Sequence, residues 1–249
     1  MTEKTQENLE RLKAAYPDVR SELNYTTPLE LLVATVLSAQ TTDRQVNIVT
    51  ARLFRDCRSL EDFLRLSEEE LRQYIHTLGF FNTKARNLYR LFRELADRFG
   101  GEVPQTREEL MSLPGVGRKT ANVVLSNAFG IPAMAVDTHV LRVSNRIGLA
   151  HAATPEETEK QLMQAIEPDW WTLGHHLLIF HGRRCCGAKK AQCETCCLAE
   201  LCETYCQKYG WSREDPYGKT DALSSNSQGQ LSGSQPGRKG TGGGRIYPP

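Results

Sequence analysis

Apolar residues recur along this chain at intervals of three and four. Leu29, Leu32, Val33, Val36 and Leu37 form one such run, and Leu88, Leu91, Phe92 and Leu95 another. That spacing places them on one face of an α-helix, whereas a half-buried strand would alternate at every second position. Start signals precede the runs. Thr27-Pro28-Leu29-Glu30 has the capping-box spacing with proline at the first helical position. Ser67 with Glu70, Thr106 with Glu109 and Thr154 with Glu157 repeat it. Gly100-Gly101 supplies a stop after the second run. No stretch sustains strand alternation, so the pattern predicts an all-α chain of about ten helices joined by short turns.

The pattern ends near residue 210. Residues 218–244 are rich in glycine, serine and glutamine and have almost no apolar content. Such a segment cannot bury enough surface to offset its ordering entropy, which predicts a flexible tail over 211–249. Its basic residues Arg238, Lys239 and Arg245 read as part of a solvated extension.

The 249 residues allow one large domain or two smaller ones, with enough buried surface to need no staple. The net charge of +1 excludes an argument from global charge, so any nucleic-acid role needs a local basic face. No segment has a signal-peptide layout, and no apolar run approaches the ~20 residues that span a bilayer. The expectation is a soluble, cytoplasmic protein. Seven of the eight cysteines fall between Cys185 and Cys206. A secreted disulfide fold would spread them, so the cluster reads as metal or cofactor ligation.

Two short strings carry candidate chemistry. Leu113-Pro114-Gly115-Val116-Gly117-Arg118-Lys119 reads as a tight turn that opens a helix. Gly115 and Gly117 let backbone N–H groups approach a phosphate, and the helix N-terminus aims its free N–H groups the same way. Such a grip on a DNA backbone is independent of sequence. Lys119 falls in the first turn of that helix, where the dipole disfavours a cation by only ~0.3–1 kcal/mol. That is too little to neutralise an amine of ordinary pKa ~10.4, so Arg118 and desolvation would have to add to it. An amine so activated attacks an electrophilic sugar carbon and forms a Schiff base. Asp137 precedes Thr138-His139-Val140 and reads as a helix N-cap. It is also placed to take a proton or to stabilise positive charge on a sugar.

Cys186, Cys193, Cys196 and Cys202 have the spacing C-x6-C-x2-C-x5-C. Four thiolates hold either a [4Fe–4S] cluster or a tetrahedral zinc. Cys185 or Cys197 could compete by a one-residue shift, and Cys206 is a further extra. Lys189 and Lys190 fall inside the first loop, and Arg183 and Arg184 flank it and are expected to have no acid nearby. This is the local basic face that the net charge hides.

Together with Leu37-Ser38-Ala39-Gln40-Thr41-Thr42-Asp43, these strings resemble the endonuclease III family of DNA glycosylases from about residue 5 to residue 207. The resemblance implies two helical domains with a DNA cleft between them. One spans 21–131 and ends in a helix-hairpin-helix. The other combines 1–20 with 132–210 and carries a [4Fe–4S] cluster on Cys186, Cys193, Cys196 and Cys202. It implies a nucleophile at Lys119 with Asp137 as its partner. The activity implied is removal of oxidised pyrimidines from duplex DNA and cleavage 3′ to the abasic site by β-elimination, by a monomer acting at the bacterial nucleoid. Related monofunctional enzymes lack the lysine nucleophile and carry a further recognition domain. Gln40 would fill the gap left by an extruded nucleotide, and Phe80 stands where many family members carry a leucine wedge. Of Phe80 and Phe81, the first is expected outside and the second in the core. Backbone contacts are expected from Gly115, Gly117, Arg118, His139, Arg183, Lys189 and Lys190. His175-His176 lies in an apolar helical stretch and reads as packing. Two alternatives stand beside this assignment: a monofunctional glycosylase of the same fold, and a non-catalytic DNA-binding iron–sulfur protein.

Overall fold

The helix starts foreseen from the Ser/Thr-x-x-Glu spacing are caps in the computed structural model, which describes residues 1–210. The side chains of Thr27, Ser67, Thr106 and Thr154 each accept a hydrogen bond from the backbone N–H three residues on. Ser67 and Glu70 form a full reciprocal box. Ser59 and Asp62 form another that the glutamate pattern does not pick out. The glycine-rich tail and its basic residues lie outside the described residues.

The helices run α1 (Glu3–Ala15), α2 (Pro28–Leu37), α3 (Asp43–Asp56), α4 (Leu60–Arg65), α5 (Glu68–Ile75) and α6 (Phe81–Phe99). They continue as α7 (Arg107–Ser112), α8 (Arg118–Ala128), α9 (Thr138–Ile147), α10 (Pro155–Ala165), α11 (Trp171–Arg184) and α12 (Glu203–Tyr209). Among the described residues the β-structure is one isolated bridge, between Cys186 and Ala191.

Residues 1–210 pack as a single unit that holds two principal apolar cores. The first draws on Leu23 to Ala133. At its centre is α2, where every residue from Leu31 to Leu37 is buried, and Phe63 stacks on Phe92 at 4.5 Å. Truncating one of these leucines to alanine costs about 2–5 kcal/mol. The second core joins Leu9 and Leu12 of α1 to residues from Met134 to Leu198, chiefly on α9, α10 and α11. The N-terminal helix thus packs with the C-terminal half. A seam runs between the cores, with α8 and the start of α3 on one side and the start of α9 and the end of α11 on the other.

Candidate active site and cysteine loop

The turn between α7 and α8 needs glycine at one position for two reasons. Gly115 has φ of +80°, and a Cβ there would lie 2.9 Å from the Asn87 side-chain nitrogen. Gly117 has an ordinary extended backbone with open space beside it, and its importance is different. It occupies the N-cap of α8 without a capping side chain, so the first N–H groups of that helix remain open to an anion.

Lys119 is the second residue of α8. Burial pushes its pKa below the ordinary lysine value, and the Arg183 guanidinium adds to the lowering. The carboxylates of Asp137 and Asp43 act in the opposite sense. Desolvation is the largest of these influences, so the amine is held closer to its neutral form than an exposed lysine. Asp137 caps α9: its Oδ1 accepts from the N–H groups of His139 at 2.8 Å and Val140 at 2.9 Å. The lysine therefore belongs to the first core and its carboxylate partner to the second, and the two meet electrostatically at the seam.

Arginines close the seam. Arg118 donates to buried Glu159 twice, at 2.7 and 3.0 Å, tying α8 to α10. Arg183 of α11 pairs with Glu22 and donates to Asp43 Oδ2 at 2.9 Å. This corrects the expectation that Arg183 and Arg184 have no acid nearby. The acids come from the α1–α2 connection and the start of α3, and Arg184 also lies 3.9 Å from Glu22. Arg118 and Arg183, both expected as phosphate contacts, are engaged inside the molecule. His139 Nδ1 lies 3.1 Å from Arg142 Nη2. Asp43 joins the site although the sequence offers no sign of it, because an acid in a helix's first turn reads as a response to the dipole.

His175 is wholly buried and held neutral by burial, and His176 is pulled down to about 4, first by burial and then by the charges of Lys119 and Arg183. His176 Nε2 lies 2.8 Å from Asn127 Oδ1. It also lines an open cavity of about 700 Å³ with Leu23, Tyr25, Asn127 and Leu173. Lys119 and Asp137 do not line that cavity, and His176 links it to their site.

Two loops of the first core carry strained residues. Gln40 and Phe80 are the only described non-glycine residues with positive φ, at 53° and 57°. For a bulky side chain this left-handed conformation costs roughly 1–2 kcal/mol. The loops adjoin, since a Cβ on Gly79 would lie 3.9 Å from the Gln40 carbonyl and buried Lys84 donates to Thr41 Oγ1 at 2.7 Å. Gln40 is exposed, and Phe80 is 65% exposed while Phe81 packs against the first core. Strain in exposed side chains on neighbouring loops is a mark of a functional surface.

The cysteine loop follows α11. The Cys186–Ala191 bridge closes residues 187–190 into a tip on which Lys189 and Lys190 are exposed. A Cβ on Gly187 would meet the Lys190 carbonyl oxygen, so the tip needs glycine there. Arg142 donates to the carbonyls of Gly182 and Cys186, and Arg146 to those of Gly187 and Ala188. Cys186 Sγ lies 3.3 Å from Arg146 Nη1, and Cys202 Sγ donates to the Arg146 carbonyl at 3.2 Å. Cys196 accepts from the Leu198 N–H. Cys186, Cys196 and Cys202 all pack into the second core. No three of Cys186, Cys193, Cys196 and Cys202 bring their sulfurs within 4.8 Å of one another. A single tetrahedral ion needs thiolates about 3.8 Å apart, so these four do not form a ready-made mononuclear site, and as an all-thiolate set their chemistry fits a [4Fe–4S] cluster.

Comparison with known proteins agrees with this geometry. The family model described as HhH-GPD superfamily base excision DNA repair protein matches residues 33–168. Endonuclease III of Rickettsia conorii is 49% identical over 189 residues, covering 76% of this chain and 90% of that protein. Endonuclease III of Escherichia coli K12 is 45% identical over 197 residues, covering 79% and 93%. A solved trapped endonuclease III–DNA covalent intermediate, an estranged-adenine complex, aligns at 47% identity with a TM-score of 0.78, covering 84% of this chain and 99% of that one. A thermostable thymine-DNA glycosylase aligns at 26% identity with a TM-score of 0.72, covering 82% and 97%.

Proposed function

The chain belongs to the HhH-GPD superfamily of base excision DNA repair proteins, and from that membership we propose that it is a bifunctional DNA glycosylase and abasic-site lyase. Its substrate is duplex DNA bearing oxidised pyrimidines or abasic sites, and it acts as a monomer. The observation that carries this reading is Lys119: a lysine desolvated at the seam, with a carboxylate from the other core acting on it and an unblocked helix N-terminus beneath it. A lysine that served only as a phosphate contact would gain nothing from desolvation.

The chemistry follows from those groups. Neutral Lys119 Nζ attacks the sugar C1′ of the damaged nucleoside. The C1′–N bond breaks, and the base leaves with the electron pair and takes a proton from water. Asp137 stabilises the positive charge that develops on the sugar and accepts the proton shed by the amine. The nitrogen lone pair then expels O4′, which takes the proton held by Asp137, and the opened sugar is left as a Schiff base between Nζ and C1′. A proton is then lost from C2′, the C3′–O bond breaks, and the 3′ phosphate departs with the bonding pair. The open N-terminus of α8, with Gly115 and Gly117, grips the backbone. Gln40 and Phe80 enter the stack vacated by the extruded nucleotide. Lys189 and Lys190, with His139, add backbone contacts. Cys186, Cys193, Cys196 and Cys202 hold a [4Fe–4S] cluster, which supplies a rigid crosslink that fixes the basic tip.

The test is borohydride trapping on abasic duplex DNA. The wild-type chain forms a covalent adduct and Lys119→Gln does not. Base release without a trapped adduct would favour a monofunctional glycosylase, and binding with neither activity a non-catalytic DNA-binding protein. Iron analysis with visible absorbance checks the cluster; stoichiometric zinc without iron would overturn it.

A further inference from the structure

The tightest set of metal donors in the described chain is not the four-cysteine set. His181, Cys185 and Cys196 bring one ligand atom each within 4.8 Å of one another, and they are the one described trio of histidine, cysteine or acidic side chains to do so. Cys185 lies outside the C-x6-C-x2-C-x5-C spacing, and His181 is a buried helical residue that the cluster does not use. The His181 Nε2 to Cys196 Sγ separation is 3.5 Å. A tetrahedral zinc with Zn–N near 2.05 Å and Zn–S near 2.3 Å sets that separation at about 3.5 Å. One edge of the trio therefore already has the length that a single ion requires.

The surroundings favour such an ion. His181 is 1% exposed and sits in the last turn of α11, so its ring needs little ordering on binding. Its Nδ1 lies 3.1 Å from the Tyr16 hydroxyl. When Nδ1 carries the proton and donates it to the Tyr16 oxygen, Nε2 presents a lone pair toward Cys196. A partner on the distal nitrogen is the usual way in which a metal-ligating histidine is held in the correct tautomer. Cys185 Sγ donates to the Gln192 carbonyl at 3.6 Å, a weak tie that an ion displaces readily, and its thiol also hydrogen-bonds with Cys196, the next ligand of the trio. The Cys197 thiol interacts with that of Cys196, its neighbour in sequence.

We infer that His181, Cys185 and Cys196 form a second, mononuclear site for a thiophilic divalent ion of the zinc type, with Cys197 or water completing the tetrahedron. Binding releases the thiol protons of Cys185 and Cys196 to solvent. Cys196 is shared with the four-cysteine set, so the single ion and the cluster exclude each other. The mononuclear site fills in chains that lack the cluster, and it holds the end of α11 to the loop in that state.

The test uses the full-length Cys202→Ser chain, which lacks one of the four cluster thiolates, titrated with Co²⁺ as a spectroscopic substitute for zinc. The expected result is one Co²⁺ per chain, with the ligand-field bands of a tetrahedral ion and thiolate charge-transfer absorption. Adding Cys185→Ser removes those bands, adding Cys193→Ser leaves them unchanged, and adding Tyr16→Phe weakens binding by about 10-fold. Circular dichroism on each chain confirms that helix content is retained. Bands that survive Cys185→Ser but vanish with Cys193→Ser would place the ion among the four cysteines and overturn the inference, as would the absence of tetrahedral Co²⁺ in a folded chain. Strand cleavage is not read, so failure here leaves the glycosylase proposal untouched, and a failed borohydride trap leaves this site untouched.

Discussion

The hairpin end and the cysteine loop each combine arginine and lysine within a short stretch of chain, and they divide the work in the same way. At the hairpin, Arg118 is spent on buried Glu159 while Lys119 is left at the seam. At the loop, Arg183 is spent on Glu22 and Asp43 while Lys189 and Lys190 stand exposed at the tip. The guanidinium fork makes two directed bonds to a carboxylate and remains charged at any working pH, which suits it to tying elements together. An ammonium is a compact charge whose pKa moves on burial, which suits it to chemistry or to loose phosphate contact. The two regions differ in what the lysines meet. Lys119 is desolvated and Lys189 and Lys190 are not, and the proposed nucleophile rests on that difference.

The largest effect that sharpens this comparison is at Lys119. Lys119→Gln abolishes strand cleavage and the trapped adduct. Asp137→Asn lowers cleavage by about 10²–10⁴-fold. Asparagine caps a helix about as well as aspartate, so Asp137→Asn leaves thermal stability nearly unchanged. A large fall in its Tm would mean that the loss of activity reports a broken cap rather than a lost charge. Lys119→Gln has a further consequence. A lysine whose folded pKa is lowered costs stability below that pKa, and the cost fades as pH rises through the unfolded value near ~10.4. Lys119→Gln is therefore more stable than wild type at neutral pH, with a gap that closes toward high pH. Denaturant unfolding across pH checks the sign, and a gap that widened with pH would break the assignment.

The reverse pattern is expected at Arg118. Arg118→Ala leaves Glu159, only 3% exposed, with Arg107 at 3.6 Å as its remaining cation. The loss falls somewhat below the ~3–5 kcal/mol of a fully orphaned buried charge. Chemical unfolding measures it. If Arg118→Ala instead left stability intact and weakened DNA binding, the arginine would belong with the lysines and the comparison would fail. A smaller effect follows at the loop tip. Lys189→Ala with Lys190→Ala leaves Tm unchanged, and the slope of log affinity against log salt falls by about two.

The helices were legible because their signals are local. Ser67 and Glu70 lie within one turn of each other, and Gly115 is demanded by its own φ and by the approach of Asn87. The Ser59–Asp62 box escaped only because aspartate replaces glutamate. Lys119 and Asp137 were legible as candidates from their turn and cap positions. What made the site a site was not legible. Arg118 and Glu159 are 41 residues apart, and Arg183 and Asp43 are 140 apart, so the ties that consume the arginines exist only after the cores have packed. Desolvation of Lys119 has the same origin. At the exposed loop, Leu78-Gly79-Phe80 suggests that glycine takes the left-handed position, yet Phe80 does so. A local rule broken at an exposed aromatic is the departure expected where function outweighs propensity, as proposed for Phe80.

The finest distinction lies in how the two regions share Lys119. Arg183 comes from the end of α11 and Asp43 from the start of α3, and they act on the amine with opposite sign. Removing the cation in Arg183→Gln takes away a lowering influence and leaves Asp43 uncompensated, so the Lys119 pKa rises. Removing the anion in Asp43→Asn lets it fall. Neutral amine is the reacting form, so the rising limb of adduct formation against pH moves to higher pH in Arg183→Gln and to lower pH in Asp43→Asn. The shifts are about one unit or less, because neither group is the dominant cause of the lowering. Single-turnover trapping on preformed abasic DNA isolates this limb from base release. Opposite displacements would show that the arginine beside the cysteine loop, although spent on carboxylates, still tunes the lysine of the hairpin. Displacement in the same direction by both variants would mean that they act by loosening the seam, and that Lys119 owes its reactivity to burial alone.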